Sequence, residues 1–299
     1  MKAADVVDLL LLAALWGASF LFMRVAVPAF GAVALVEVRV VVAAAFLLAI
    51  AAARGQLPAL RANLGRAAAI GLVNSALPFV LFTYATLTIT AGFASILNAT
   101  VPMWAAAIGA LWLHERIRTS QWLGLALGAG GVVVLMWGKI DIHPGGSQWS
   151  TTLAVAAALA ATFAYGVSLH LARRLQAGVA PLVTAAGSQI GAAAAMAVPA
   201  VWLWPAQTPP ASLWIAALAL GIGCTGVAYV LYFRLIARTG AMRAASVTFL
   251  IPLFGTLWGA LFLAEQVTAQ MIFGGAIVLA GTMLSLGFAR PGTPLASPR

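Results

Sequence analysis

The chain has 299 residues, of which 64% are hydrophobic and 7% charged, with a formal net charge of +10. A water-soluble domain carries about a quarter charged residues, so this composition excludes a soluble enzyme, a secreted domain and a disordered protein. At ~20 apolar residues per crossing, the length accommodates about ten membrane helices joined by short loops.

In chain order, apolar stretches fall at 6–25, 33–53, 67–87, 92–112, 120–138, 152–171, 180–203, 212–233, 243–263 and 269–289. Runs this long and this rich in Ala and Leu read as helices, not strands. The expectation is an all-α, polytopic membrane protein with ten transmembrane helices. The breaks carry turn and charge signals: PAFG at 28–31, RGQLPALRANLGR at 54–66, HPGGSQ at 143–148 and WPAQTPPA at 204–211. Lys2 is followed by Asp5 and Asp8, and the first apolar run continues to about Val27. That is longer than the ~7–15-residue core of a cleaved signal, so it reads as a retained first helix. The tail 291–299 reads as disordered.

The basic residues sit singly or in small groups between apolar runs, which points to membrane orientation and not to nucleic acid. With the N-terminus in the cytoplasm, Lys2, Arg54, Arg61, Arg66, Arg116, Arg118, Arg173, Arg174, Arg234, Arg238, Arg243, Arg290 and Arg299 share that side. Arg24 and Lys139 fall outside, and Arg39 lies within a helix. The bias predicts both termini cytoplasmic.

A shift of 150 residues aligns GFASILNATVPMWAAAIGALWLHE (92–115) with MRAASVTFLIPLFGTLWGALFLAE (242–265). Pro102 meets Pro252, Glu115 meets Glu265, Gly124 meets Gly274 and Gly131 meets Gly281. With a shift of 149, WGAS (16–19) meets YGVS (165–168). The chain therefore reads as two five-helix repeats, 1–140 and 150–290. An odd number of crossings inverts the second in the membrane, and equivalent loops indeed carry opposite charge bias. Inverted repeats recur in secondary transporters, with substrate bound near the midplane.

LWGASFLFMRVAV, VEVRVVVAAAFL and NATVPMWAAAIGALWLHERIRTSQWLG together resemble the EamA-type family of the drug/metabolite transporter superfamily. The shared features are Trp16-Gly17, Arg39, Pro102, Glu115 and the glycine-rich helix after it, repeated at Pro252, Glu265 and Gly274. Length and aromatic content are most similar to the YddG-type amino-acid exporters. The resemblance implies ten helices, both termini inside, alternating access, and export of amino acids or related metabolites. The site of action is then the bacterial inner membrane.

No catalytic or metal constellation is expected. His114, His143 and His170 are scattered, Asp5, Asp8 and Asp141 lie near the interfaces, and no nucleotide-binding motif is present. No enzyme activity and no cofactor are therefore expected, and Cys224 reads as a small buried residue. Glu115 and Glu265 read as turn and cap residues. Arg39 reads as snorkelling outward or bonding carbonyls of a neighbouring helix, with gating as the alternative. With no carboxylate at mid-depth, the protein is expected to be a facilitator without strong preference for cations.

The substrate site must then be built from neutral polar groups, aromatics and helix breaks. The candidates are Trp16, Ser19, Asn74, Ser75, Phe79, Thr83, Ser95, Asn98, Tyr165, Ser168, Tyr229, Tyr232, Ser246 and Thr248. Pro78, Pro102 and Pro252 are expected to kink their helices and free the carbonyls four residues back. Trp104, Trp112, Trp137, Trp149 and Trp214 read as interface anchors. The small-residue faces GLALGAGG (124–131) and GGAIVLAG (274–281) are expected to pack on each other as a rigid support. A monomer is expected, with a dimer through the same face as the alternative. The main functional expectation is an amino-acid exporter; the alternatives are a drug efflux protein and a non-transporting lipid-handling or receptor-like protein.

Overall fold

A computed structural model describes residues 2–115, 118–138 and 149–286. The expected tail 291–299, the break at 143–148, and Arg116, Lys139, His143 and Asp141 lie outside the described residues. The helices are α1 (Ala3–Phe30), α2 (Ala32–Ala53), α3 (Leu57–Gly71), α4 (Leu77–Ala85), α5 (Ala91–Asn98), α6 (Val101–Leu111) and α7 (Thr119–Met136). They continue as α8 (Trp149–Leu175), α9 (Pro181–Trp202), α10 (Ala211–Leu218), α11 (Ala228–Thr239), α12 (Ala241–Ala245), α13 (Val247–Leu263) and α14 (Ala269–Ser285). Among the described residues there is no strand, and nine helical stretches are long and apolar enough to cross a membrane. A tenth, α14, is apolar and has 17 residues.

Four departures from plain helices matter. The segment 54–66, expected as a loop, belongs largely to α3, which starts at Leu57. Pro58 suits a first helical turn because its missing N–H has no partner to lose there. Leu60 is buried with Leu182 and Val183 of α9, while Arg61 and Arg66 face outward. The arginines made an amphipathic helix look like a loop. The third and eighth apolar stretches each contain π-helical turns, at Leu72–Ala76 and Ala219–Val227. The fourth stretch breaks at Ala99–Thr100, so Pro102 sits in the first turn of α6 and does not kink a continuous helix. Pro78 likewise sits in the first turn of α4, directly after the π-helical turn. Pro252 does lie inside α13.

The repeated GALWLHE and GALFLAE segments fold alike. His114 and Ala264 both adopt left-handed backbone, with φ of 54° and 52°. Each is followed by a glutamate whose N–H reaches back to a glycine carbonyl, Glu115 to Gly109 at 2.8 Å and Glu265 to Gly259 at 3.1 Å. The carboxylate then lies against that same glycine, where a Cβ would collide with Oε2.

The packing of α7 on α14 agrees with the expectation for the glycine faces. A Cβ at Gly131 would lie 2.7 Å from Val278 N, so the two backbones are in direct contact. Each helix also seals the end of the other. Gln121 Nε2 donates to Ser285 O at 2.9 Å, and Gln270 Nε2 donates to Val134 O at 2.8 Å. These bonds give last-turn carbonyls a side-chain donor from the facing helix. Of the remaining helices, α13 packs on α1, α4 and α6 pack on α8, and α9 packs on α2 and α3, with the largest buried cluster running through α1, α5, α8 and the Ala219–Val227 turn.

Candidate functional site

The π-helical turns and the α5–α6 break converge on one region. Widening a helical turn, or ending one, leaves backbone and side chains out of helical register, and such irregularities concentrate at functional sites. Here they surround a cavity of about 210 Å³. Its walls come from α1, α2, α4, α8, α11 and α13, from both π-helical turns, and from the end of α5 and the start of α6.

Of the residues singled out in the sequence, Trp16, Ser19, Arg39, Asn74, Phe79, Asn98, Tyr165, Ser168, Tyr229, Tyr232 and Thr248 line this cavity. The others do not. Ser95 is fully buried between helices, donates to Gly92 O at 2.7 Å and packs on Gly255 of α13. Thr83 is fully buried away from the cavity. Ser246 sits at the α12–α13 break and donates to Arg243 O at 2.7 Å. Ser75 accepts from Gln189 Nε2 at 2.7 Å. Pro78, Pro102 and Pro252 shape the helices without lining the cavity. For Ser95, Ser246 and Ser75 the reason is that a hydroxyl close to a helix backbone or a buried amide is already satisfied. Depth along a helix does not reveal that.

Aromatic rings form much of the wall. Trp16 and Tyr232 lie 5.2 Å apart between centroids, and Phe82 stacks on Tyr165 at 6.3 Å. A polar chain crosses it. Ser168 Oγ donates to Asn74 Oδ1 at 3.1 Å, and Asn74 Nδ2 donates to the Tyr229 hydroxyl at 3.0 Å. Three elements, α8, the first π-helical turn and α11, are thereby tied through one amide.

Arg39 is the main correction. It does not snorkel outward, and among the described residues it bonds no carbonyl. It is buried, with 5% of its surface exposed, and faces the cavity. Its Nε donates to Thr225 Oγ1 at 2.9 Å, its Nη1 lies 3.7 Å from Met23 Sδ, and its guanidinium carbon sits 3.6 Å above the Phe79 ring. Thr225 in turn donates to Leu220 O at 2.9 Å, within the same π-helical turn. None of the ion pairs formed by the described residues includes Arg39. No acidic residue lines the cavity.

Residues missed in the sequence are Phe20, Met23, Phe82, Val101, Leu169, Cys224, Thr225 and Ile251. Only Thr225 left a usable signal: it is a hydroxyl in an apolar, glycine-rich run, and a shift of 150 brings it onto Ser75. Two of the expected interface tryptophans are half-buried against neighbouring rings. Trp104 lies edge-on to Phe163, and Trp214 lies edge-on to Phe30, whereas Trp112 and Trp137 are exposed. The side chain of Trp149 lies outside the described residues.

Charged groups gather at the two ends of α1. Asp8 pairs with Arg234, and Arg238 lies 3.7 Å from Asp8 and 3.9 Å from Asp5. Farther along, Arg24 pairs with Glu265 at 3.1 Å and donates to Thr86 O at 2.6 Å and Ile89 O at 3.1 Å. Glu265 accepts from Ala91 N at 2.8 Å and Gly92 N at 3.2 Å, capping the positive end of α5. Its reading as a cap residue therefore agrees with the structure. Among the described residues, no three of His, Cys, Asp and Glu come together as a metal site.

The chain was compared with known proteins. The model of the EamA-like transporter family matches at residues 6–137 and again at 152–287. An uncharacterized inner membrane transporter, YedA, of Escherichia coli (strain K12) is 27% identical over 290 residues, covering 95% of this chain and 92% of that one. A "Probable terminal-alkyne amino-acid exporter" of Streptantibioticus cattleyicolor is 26% identical over 280 residues, covering 90% and 89%. A chain of known crystal structure superposes with a TM-score of 0.65 at 21% identity, covering 97% of this chain and 98% of that one. This last likeness speaks to the fold alone. Nine membrane-length apolar helices among the described residues, a polar and aromatic cavity between them and a family match over nearly the whole chain lead to one conclusion: this is a membrane transporter belonging to the EamA-like transporter family.

Proposed function

We propose that the protein exports amino acids, aromatic or neutral, or closely related small metabolites by alternating access across the inner membrane. The observation that carries this reading is the cavity. At about 210 Å³ it is smaller than the ~300–1,000 Å³ pockets that hold drug-sized ligands. Rings from Trp16, Phe79, Tyr165, Tyr229 and Tyr232 give it apolar walls, and Asn74, Asn98, Ser168 and Thr248 supply neutral hydrogen-bonding groups. That is the chemistry a zwitterion with an apolar side chain requires. The amino-acid exporter and the inner membrane transporter among its relatives add support.

In this reading the ten helical stretches are ten crossings, in two inverted halves at 1–140 and 150–290, with both termini cytoplasmic. The duplicated glutamate turns, the paired π-helical turns and the reciprocal Gln121 and Gln270 contacts support two equivalent halves. No carboxylate lines the cavity to trade a proton for cargo, so movement follows the cargo's own gradient. The protein works as a monomer, with α7 and α14 engaged on each other.

The lipid-handling alternative has one observation in its favour, a lateral groove of about 500 Å³ bounded by Phe22, Val25, Ile215, Trp258 and Phe262. Its lining is almost wholly apolar, with Ser212 as the polar exception, which suits an acyl chain of the bilayer and offers little to a headgroup. Uptake of a panel of labelled amino acids into proteoliposomes, with and without imposed gradients, tests the main reading. Saturable flux of neutral amino acids that needs no pH gradient is expected. Flux of bulky drugs alone, or flux that strictly needs a pH gradient, contradicts it.

A further inference from the structure

We propose that Arg39 is the counter-ion for the carboxylate of the cargo, so that the transporter selects metabolites bearing a carboxylate and no net positive charge. The proposal rests on the exporter reading above and deepens it.

A guanidinium has five N–H donors and no acceptor. In Arg39, Nε is taken by Thr225 Oγ1, and Nη1 has only the weak thioether acceptor of Met23. Phe79 covers one face of the plane. Among the described residues Nη2 has no hydrogen-bond acceptor, and no carboxylate neutralises the charge. A membrane interior strongly disfavours such an uncompensated charge, and intramembrane ionisable residues mark cargo and ion pathways. The part of the guanidinium fork left unused is the part that a carboxylate takes with two parallel bonds.

The other half of the chain makes the equivalent contact without a charge. With the shift of 150, Arg39 falls on Gln189 and Thr225 falls on Ser75. Gln189 Nε2 donates to Ser75 Oγ at 2.7 Å, as Arg39 Nε donates to Thr225 Oγ1 at 2.9 Å. Both side chains are buried on helices, α2 and α9, that pack on each other. A neutral amide therefore makes the equivalent contact, from α9 to the first π-helical turn, that Arg39 makes from α2 to the second. Gln189 does not line the cavity, whereas Arg39 does. The formal charge is present only in the half whose side chain reaches the cargo space. A carboxylate satisfies that charge, and a second cation, such as the side chain of lysine, is repelled by it.

The test uses the full-length protein and four matched probes: phenylalanine, phenylalaninamide, phenethylamine and 3-phenylpropionate. Binding is read from ligand-induced thermal stabilisation in detergent, and transport from flux in proteoliposomes. Phenylalanine and 3-phenylpropionate are expected to bind at least tenfold more tightly than the amide and the amine. Arg39→Gln is expected to lower the first two to the level of the last two, and Arg39→Lys to recover part of the difference. Should Arg39→Gln fail to fold, the wild-type series still decides, because it varies the ligand alone. Equal binding of all four by the wild type overturns the role of Arg39 and leaves the exporter reading standing. Absence of binding and flux for all four, in protein that is folded and inserted, overturns both.

Discussion

Asp8 of α1 pairs with Arg234 of α11, and this pair ties the first helix to the second half of the chain at its N-terminal end. Sixteen residues on, about 24 Å along the axis at ~1.5 Å per residue, Arg24 of the same helix pairs with Glu265. The cavity lies between the two pairs, with Trp16 and Ser19 on its wall. Alternating access requires that such contacts break at one end at a time. The Asp8 carboxyl is buried while Arg234 is about half exposed, so solvent screens the pair from one side. Asp8→Asn should therefore weaken closure at that end by about 1 kcal/mol, roughly fivefold in the open-to-closed ratio. The check is a double-mutant cycle with Arg234→Gln, read by the accessibility of a reporter at that end. The double variant should cost no more than Asp8→Asn alone, since Arg238 also lies 3.7 Å from Asp8. Strictly additive effects mean that the pair does not latch.

Glu265 receives two backbone N–H groups from the start of α5 and an arginine from α1, so it organises the end of the bundle opposite Asp8. Glu265→Ala should cost about 2 kcal/mol, from the lost cap and the unpaired donors. Gly259→Ala should act through the same residue, since its Cβ would occupy the space of the carboxylate. Thermal unfolding in detergent should show both losses, and combining the two variants should cost less than their sum. A Gly259→Ala protein as stable as wild type would mean that the carboxylate has room to move.

The glycines between α7 and α14 give a sharper contrast. Gly130 and Gly131 are adjacent, yet a Cβ at Gly130 meets nothing within 4 Å while one at Gly131 meets the backbone of α14. Gly131→Ala should destabilise by about 1–3 kcal/mol through forced separation of the helices. Gly130→Ala should be neutral or gain up to ~1 kcal/mol from helix propensity. Thermal unfolding of the two variants side by side checks this. Equal effects would mean that α7 and α14 separate readily.

The same contrast bears on what the sequence could reveal. The α7–α14 contact was legible because small residues four apart allow close backbone approach, and that pattern is local. The two-copy pattern was legible because Pro102, Glu115, Pro252 and Glu265 recur in register. Most of the cavity was legible as aromatic and polar residues at mid-helix depth. The direction of each side chain was not. Ser95 and Asn98 are both polar and three residues apart, yet one is spent on Gly92 O and the other faces the cavity. Arg39 was misjudged because snorkelling is the usual fate of an arginine near a helix end. What turns it inward is the Thr225 hydroxyl and the Phe79 ring, which come from distant segments. The π-helical turns had no sequence signal beyond glycine and small polar residues in apolar runs.

Cys224 is the single cysteine of the chain, and it lines the same cavity as Arg39 and Tyr229. It therefore reports on cavity occupancy without any engineered residue. A small methanethiosulfonate reagent reaches it only through the cargo space, because its side chain is otherwise buried. Saturating transported amino acid should slow modification at least threefold, and the concentration for half protection should match that for half-maximal flux. An anionic reagent should react faster than a cationic one of equal size, since Arg39 attracts the first and repels the second in a medium of low dielectric. Arg39→Gln should erase that ratio. Mass spectrometry of the intact protein measures both rates. Modification that is indifferent to cargo would separate Cys224 from the transport path, and a ratio unchanged in Arg39→Gln would mean that the field at the cavity comes from elsewhere in the chain.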